Sequence, residues 1–372
     1  MQYFDYAASC PLDEEAAKAY VKASAEFYGN ASSLHDIGDK ARQLLEHCRG
    51  EFARLLRVPK DGIYFTSGGA EGNFLAIQAL LSASPKEGKH IVTGMAEHSS
   101  VANTMKLLKK SGYDITFLPL QPDGKINLSE FQSALRDDTV LVSIQHGNPE
   151  IGTIQPIKEM AALCRNNGIL VHSDCVQTFG KAEMSTISPM VDSLTISGHK
   201  FYGPKGIGVT YVNPSLTWKS FFPGTTHESG FRPGTVNVPA VAAMSVAAKR
   251  AVEQQRIRAE HFTHVKEAFI QSLSPAESAF IIYNSDLPST VGMRVKGLEG
   301  QFVMLECNRR GFAISTGSAC SVHLQTPSKT MTAMGITGKE AKEFIRISFG
   351  RETTEEDVIQ LGETLVKIAN QY

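Results

Sequence analysis

Asp192-Ser193-Leu194-Thr195-Ile196-Ser197-Gly198-His199-Lys200, followed by the glycine-punctuated Gly203-Pro204-Lys205-Gly206-Ile207-Gly208, decides how the chain is read. The short apolar run predicts a buried strand, and its abrupt end in Ser, Gly, His and Lys puts polar chemistry at a strand's carboxyl end. In open α/β sheets the ligand crevice lies just past those ends, and Gly198 lets the backbone come close there. Lys200 is therefore expected to meet a ligand. A lysine desolvated beside another cation loses proton affinity, and its free amine condenses with aldehydes. A solvated lysine behind a strand would leave the same short motif, so the companions of Lys200 decide between the two readings.

Composition bounds what that lysine can serve. A chain of 372 residues with 42% hydrophobic content can bury a large core, and its length suits about two domains. Lysine plus arginine (37) nearly balance aspartate plus glutamate (38), for a formal charge of -1. No overall basic field points to nucleic acid or an anionic membrane. Met1 leads straight into Tyr3-Phe4-Asp5-Tyr6 without a basic and apolar leader, and no apolar run approaches the ~18 residues of a membrane span. A cytoplasmic protein is the expectation. Cys10, Cys48, Cys164, Cys175, Cys307 and Cys320 show neither Cys-x-x-Cys pairs nor Cys/His ligand spacing. Reduced thiols and no metal site are expected.

Upstream of Lys200 the pattern alternates helix and strand. Helices are predicted over 13–27, behind Pro11, and over 36–56, where Ala41, Leu44, Leu45, Cys48, Phe52 and Leu55 recur at helical spacing. Between them, Gly29 to His35 either turns the chain or lines a pocket. Gly62 to Thr66 reads as a strand, Ser67-Gly68-Gly69 as a tight turn and Ala70 onward as a helix. That order makes an anion cradle, because the first helix amides lack internal partners and lie at the positive end of the dipole. It matches neither the P-loop nor Gly-x-Gly-x-x-Gly, so nucleoside triphosphates and dinucleotides lose support. Further strands over 90–93, 114–118, 139–145 and 168–172 predict a mostly parallel sheet with helices on both faces.

These strands end in polar residues: His98 follows one, His146-Gly147-Asn148-Pro149-Glu150 another, and Ser173-Asp174-Cys175-Val176-Gln177 a third. His98 either caps a helix or stacks on a flat ligand. Asp174 either caps a turn or keeps the nitrogen of a pyridine ring protonated, with Gln177 as a donor to the ring's phenolate oxygen. Past Lys200, a strand over 209–212 leads into Gly-, Pro- and Thr-rich loops around Phe222 to His227 and Phe231 to Thr235. One long helix over 238–258 is expected to form the hinge to a smaller α+β domain. There, Phe312 to Ser321 surrounds the thiol of Cys320 with small residues, a setting from which a nucleophile can be delivered. Cys307 falls in a helical-looking apolar run instead. Arg346 interrupts the β-run over 344–349 and needs either a substrate carboxylate or an ion-pair partner.

Taken together, Tyr3 to Ala8, Asp174-Cys175-Val176-Gln177, Ser197-Gly198-His199-Lys200, Arg232-Pro233-Gly234-Thr235, Ser315 to Cys320 and Arg346 to Arg351 carry a resemblance. The chain resembles the NifS/IscS-type cysteine desulfurases, in the class V group of fold-type I pyridoxal phosphate enzymes, over nearly its whole length. The resemblance implies an α/β fold with a large, mostly parallel mixed-sheet domain (12–250) and a smaller α+β domain (1–11 plus 251–372) bearing the cysteine loop. It implies pyridoxal 5'-phosphate held as a Schiff base by Lys200, with Asp174 on the pyridine nitrogen, Gln177 on the phenolate oxygen and His98 stacked on the ring. Gly69, Ala70, Ser197 and His199 would hold the phosphate, helped by Thr235 from the second subunit of a homodimer. Asn148, also counted among the cofactor contacts, and Arg346 would grip the carboxylate of L-cysteine.

By the same resemblance, Lys200 moves the Cα proton, His98 relays protons and Cys320 takes the sulfur as a persulfide. The persulfide would pass to an acceptor protein: an iron-sulfur scaffold, a tRNA-thiolation enzyme or a dedicated client. A class V aminotransferase, a selenocysteine lyase and a non-catalytic scaffold are the alternatives; the first has no use for Cys320 and the last none for Lys200 with Asp174. Four positions depart from the family pattern: Ala70 stands for a threonine, Gly147 for a valine, Pro149 for an asparagine and Cys10 for a threonine. The chain ends at Asn370-Gln371-Tyr372 without the extension that housekeeping members use to dock a scaffold, which favours a dedicated acceptor.

Overall fold

The computed structural model describes residues 1–317 and 327–372. Strand β1 (Gln2–Tyr3) precedes two helices, α1 (Glu14–Glu26) and α2 (Asp36–Leu56). Asp13 caps α1 by accepting from the amides of Glu15 and Ala16, and His35 caps α2 through the amide of Gly38. The stripe predicted on α2 is buried at Ala41, Leu45, Cys48 and Phe52.

The alternation then continues through β2 (Ile63–Thr66), α3 (Gly69–Ala83), β3 (His90–Gly94), α4 (Ser99–Lys110), β4 (Asp114–Leu118), α5 (Leu128–Ala134), β5 (Thr139–Ser143), α6 (Ile157–Asn166) and β6 (Leu170–Asp174). With β7 (Ser193–Ser197) and β8 (Gly208–Val212) these strands form a seven-stranded sheet of order β2-β8-β7-β6-β5-β3-β4. β8 runs antiparallel to both its neighbours, and the remaining pairings are parallel. Successive residues serve opposite faces. Ile91, Leu141 and Leu170 pack with Leu75 and Met105, whereas Val92, Val142 and Val171 belong to the cluster that holds Phe52 and Met160. That is the period of two of a pleated strand, and burial on both faces is why these strands read as unbroken apolar runs.

The outer edge of β2 is closed by a buried ion pair. Glu228 accepts from the amide of Phe65 (2.6 Å) and from both terminal nitrogens of Arg49 (2.8 and 3.0 Å), and Arg49 also donates to the carbonyl of Ile63 (2.5 Å). These side chains occupy the ladder groups that an edge strand otherwise offers to another chain. Glu228 and Ser229 sit at φ 46° and 52°, a conformation that costs non-glycine residues energy and persists where packing over-determines it.

The single helix expected over 238–258 is in fact two. α7 (Val238–Glu253) stops at Gln254 and α8 (Gln255–Ser272) restarts at once. α7 packs on α1 and α2, whereas Phe262, Val265 and Phe269 of α8 enter a separate core. One straight helix cannot face both, and the polar Glu253-Gln254-Gln255-Arg256 marks the change of direction. The second core is built with β9 (Phe280–Ile282), β10 (Thr290–Val295), α9 (Gly300–Arg309), β11 (Phe312–Ala313), α10 (Lys329–Ala333), α11 (Gly338–Lys342), β12 (Phe344–Ser348) and α12 (Glu355–Gln371). β10 lies between β9 and β12 in an antiparallel sheet, which α8, α9 and α12 cover with Phe269, Val303 and Leu361. β1 pairs in parallel with β11, drawing the N-terminal segment to this side. Among the described residues, no helix is long and apolar enough to cross a membrane.

Candidate active site

The carboxyl ends of β3, β5, β6 and β7 open onto a cavity of about 470 Å³. Lys200 lies in the tight turn that follows β7, and its amine donates to the carbonyls of Ala7 (2.7 Å) and Ala8 (2.8 Å). Burial, reinforced by the charges of Arg346 and Lys181, pulls its pKa from 10.5 down to about 8. Those are the conditions for a lysine that is partly neutral at physiological pH.

Asp174 ends β6 and lines the same cavity. Its Oδ2 accepts from Asn73 (2.7 Å) and its Oδ1 from the amide of Val176 (3.0 Å). Gln177 donates to the carbonyl of Ala7 (3.0 Å), the same carbonyl that Lys200 meets. His98 is the N-cap of α4, and its Nδ1 accepts from the amide of Ser100 (3.2 Å). Desolvation lowers its pKa, against the opposing pull of Asp174. His98 thus caps the helix and also lines the cavity.

At the cradle, Gly68 has φ 146° and precedes α3, whose N-terminus no side chain among the described residues caps. A Cβ on Gly69 would come within 2.9 Å of Val176, so the close approach of this turn to the loop after β6 requires glycine. Gly69, Ala70, Ser197 and His199 all line the cavity there. His199 is pushed down to about 4 by burial and by the neighbouring Lys200 and Lys205. The ion pair Arg232–Glu71 (3.3 Å) brings the Arg232 to Thr235 loop to the same end of α3. Thr235 itself is exposed and does not line the cavity of its own chain.

Asn148 is not where the sequence reading expects it. It is buried and does not line the cavity; its Oδ1 accepts from the amides of Glu150 (2.8 Å) and Ile151 (3.0 Å), and its Nδ2 donates to Thr330 (3.0 Å). The side chain is consumed in holding its own turn, and Gly147 and Pro149 form the wall instead. Arg346 is 2% exposed; it pairs with Asp5 (2.5 Å) and donates to the carbonyl of Pro149 (3.0 Å). Of the two readings of Arg346 the ion pair is the one present; its buried Nε has no partner among the described residues, and the side chain lines the cavity. Cys320 lies outside the described residues. The strand end before it is fixed by Ser315, whose backbone pairs with that of Arg346 (2.6 and 3.1 Å).

Three contributors escape the sequence reading. Asn73 holds Asp174, the buried Glu97 accepts from the amide of the cavity-lining Gln145 (2.8 Å), and Lys181 adds charge near Lys200. Desolvation pushes the Glu97 carboxyl well above the usual carboxylate range. An asparagine directly ahead of the apolar Phe74-Leu75-Ala76-Ile77 run, one turn past Gly69, is the signal that points to Asn73.

The class-V aminotransferase model matches residues 2–361. The chain belongs to this family. It is 46% identical over 376 residues to a protein named for NifS from Bacillus subtilis (strain 168), covering 100% of this chain and 95% of that one. It is 35% identical over 367 residues to the cysteine desulfurase IscS 1 of Archaeoglobus fulgidus, covering 98% and 96%. A solved NifS-like protein superimposes with a TM-score of 0.92 at 30% identity, with both chains fully covered. SspA, solved in complex with cysteine, gives 0.79 at 30% identity over 94% of this chain and 99% of that one. Within the class V family the chain is of the NifS/IscS type, and the family works with pyridoxal phosphate.

Proposed function

We propose that the chain is a pyridoxal 5'-phosphate-dependent cysteine desulfurase that converts L-cysteine to L-alanine and keeps the sulfur as a persulfide on Cys320. The observation that carries the proposal is the Lys200 amine, drawn towards neutrality in a cavity that Asp174, His98 and Arg346 also line. The cavity fits the cofactor: glycine-lined helix amides suit a phosphate, Asp174 offers an acceptor to a ring nitrogen, and Lys200 offers the amine an aldehyde needs. When bound, pyridoxal phosphate supplies that aldehyde and a ring that withdraws electrons from the bonds at the substrate's Cα.

The residues divide the remaining work. Gly69, Ala70, Ser197 and His199 hold the phosphate, with Thr235 reaching it from a second copy of the chain in a homodimer. Gln177 addresses the phenolate oxygen, and His98 covers the ring and passes protons. Arg346 takes the substrate carboxylate in a charge-assisted contact. Asn148 shapes the turn behind that contact. Lys200 takes the Cα proton, since an amine near pH 8 both accepts and returns one. The thiolate of Cys320 bonds to the substrate sulfur as the Cβ–S bond breaks; its electron pair stays on carbon, which takes a proton, so no outside oxidant or reductant is needed. A sulfur-acceptor protein then removes the persulfide sulfur.

We assign the large unit to 12–250 and the smaller to 1–11 with 251–372, supported by the separate apolar cluster around Phe269 and Leu361 and by the β1–β11 pairing. The test of the function is Cys320→Ala. It is expected to retain the yellow cofactor and its spectral response to L-cysteine but to form neither persulfide nor alanine; undiminished alanine formation would refute the role of Cys320. Accumulation of pyridoxamine phosphate in the unaltered chain would point to an aminotransferase instead.

A further inference from the structure

Four polar side chains that the mechanism does not use, the buried Ser193, His172 and Asn73 and the half-buried Ser100, form one directed chain with Asp174 and His98. Ser193 Oγ donates to Nδ1 of His172 (3.2 Å), and Nε2–H of His172 donates to Oδ1 of Asn73 (3.1 Å). The Asn73 amide nitrogen donates both to Oδ2 of Asp174 (2.7 Å) and to Oγ of Ser100 (2.9 Å). The Ser100 hydroxyl is left to donate to Nδ1 of His98 (2.9 Å). The direction is forced at both ends. The backbone N–H of Ser100 also points at Nδ1 of His98 (3.2 Å), so that nitrogen carries no proton, and Asp174 accepts on both oxygens. A flipped carboxamide would set Oδ1 of Asn73 against acceptor oxygens of Asp174 and leave its nitrogen facing His172. Asn73 and His172 are 1% and 0% exposed, and burial brings the pKa of His172 down to about 3, which keeps it neutral.

We propose that Asn73 is a positioning residue that ties the hydrogen-bonded state of Asp174 to that of His98, so that one carboxamide sets both groups. The catalytic meaning rests on the roles given to Asp174 and His98 above, while the coupling is a property of the chain alone. Without Asn73 the Ser100 hydroxyl is free to turn and accept from a protonated Nδ1, so one of the two donors that oppose the His98 imidazolium is withdrawn while the Ser100 amide stays. His98 is faced by Asp174 from the end of β6, Lys200 and His199 from beyond β7 and Lys329 from α10. Asn73→Leu also removes a donor from Asp174, but it does so in both backgrounds, so a double-mutant cycle with position 100 isolates the link.

The full chain, labelled in its histidine rings, is titrated by NMR as wild type, Asn73→Leu, Ser100→Ala and the double variant, with His98 assigned by the resonance lost in His98→Gln. Asn73→Leu is expected to raise the His98 midpoint by about half a pH unit, the scale of one hydrogen bond. With Ser100→Ala already present, only the part carried through Asp174 is expected to remain. An equal rise in both backgrounds, or none, overturns the proposal. Asn73→Ala, which leaves room for a water, takes the place of Asn73→Leu if the latter does not fold. Borohydride labelling of Lys200 in the wild-type chain tests the cofactor reading separately: a label without coupling defeats only the role of Asn73, and coupling without a label defeats only the cofactor.

Discussion

Lys200 is predicted to weaken the folded chain that has been stripped of cofactor. Its amine falls from 10.5 to about 8 on folding, chiefly through burial and further through Arg346 and Lys181. At ~1.4 kcal/mol per pH unit, this costs the folded state on the order of 3 kcal/mol. The pH dependence follows from linkage. Below pH 8 the amine is charged in both states and the whole cost is carried; between 8 and 10.5 the folded amine sheds its charge and the cost fades; above 10.5 it is gone. Lys200→Met keeps the length of the side chain and removes the charge. Its urea midpoint at pH 7 should exceed that of the unaltered stripped chain by about 1 M, taking a slope of ~3 kcal/mol per M, and the advantage should shrink as pH rises towards 10.5. A variant no more stable at pH 7, or an advantage that is constant with pH, refutes the reasoning.

Glu228→Ala leaves the buried Arg49 guanidinium and the Phe65 amide without their partner, and is expected to cost about 3 kcal/mol, since Arg49 keeps its contact to Glu46; urea unfolding measures it, and a loss under about 1 kcal/mol contradicts a closed edge on β2. Gly72→Ala puts a Cβ 2.5 Å from Thr210 Oγ1 and 2.7 Å from Thr195 Cγ2, which should destabilise the chain by about 1–3 kcal/mol. The same displacement of α3 from the sheet should weaken pyridoxal phosphate binding in an absorbance titration, and unchanged affinity would show that the cradle does not depend on how α3 is seated.

Residues that end buried strands were the readable part of the site. Asp174 and Ser197 close β6 and β7, and an apolar run that stops at a polar residue announces the ligand side of a parallel sheet whatever the rest of the chain does. Loops carry no such period. In His146-Gly147-Asn148-Pro149-Glu150 nothing in the sequence tells which side chain faces outward, and Asn148 turned out to spend its oxygen on the amides two and three residues on, a habit of asparagine in turns. The break at Gln254 was hidden because helical spacing persists through it; what changes is the core being faced, which only the tertiary arrangement decides. The partnership of Arg346 with Asp5 joins opposite ends of the chain and has no local signature.

The carbonyls of Ala7 and Ala8 that hold the Lys200 amine follow directly from β1, whose hydrogen-bonding partner β11 lies close to the other end of the chain. On a ribosome the lysine therefore emerges well before the strand that anchors its cage. Domains fold as units in the order of synthesis, so the large sheet can form while the pocket still lacks one wall. Maturation of this pocket therefore waits for β11, and an arrested nascent polypeptide stopped before Phe312 would expose the Lys200 amine to water.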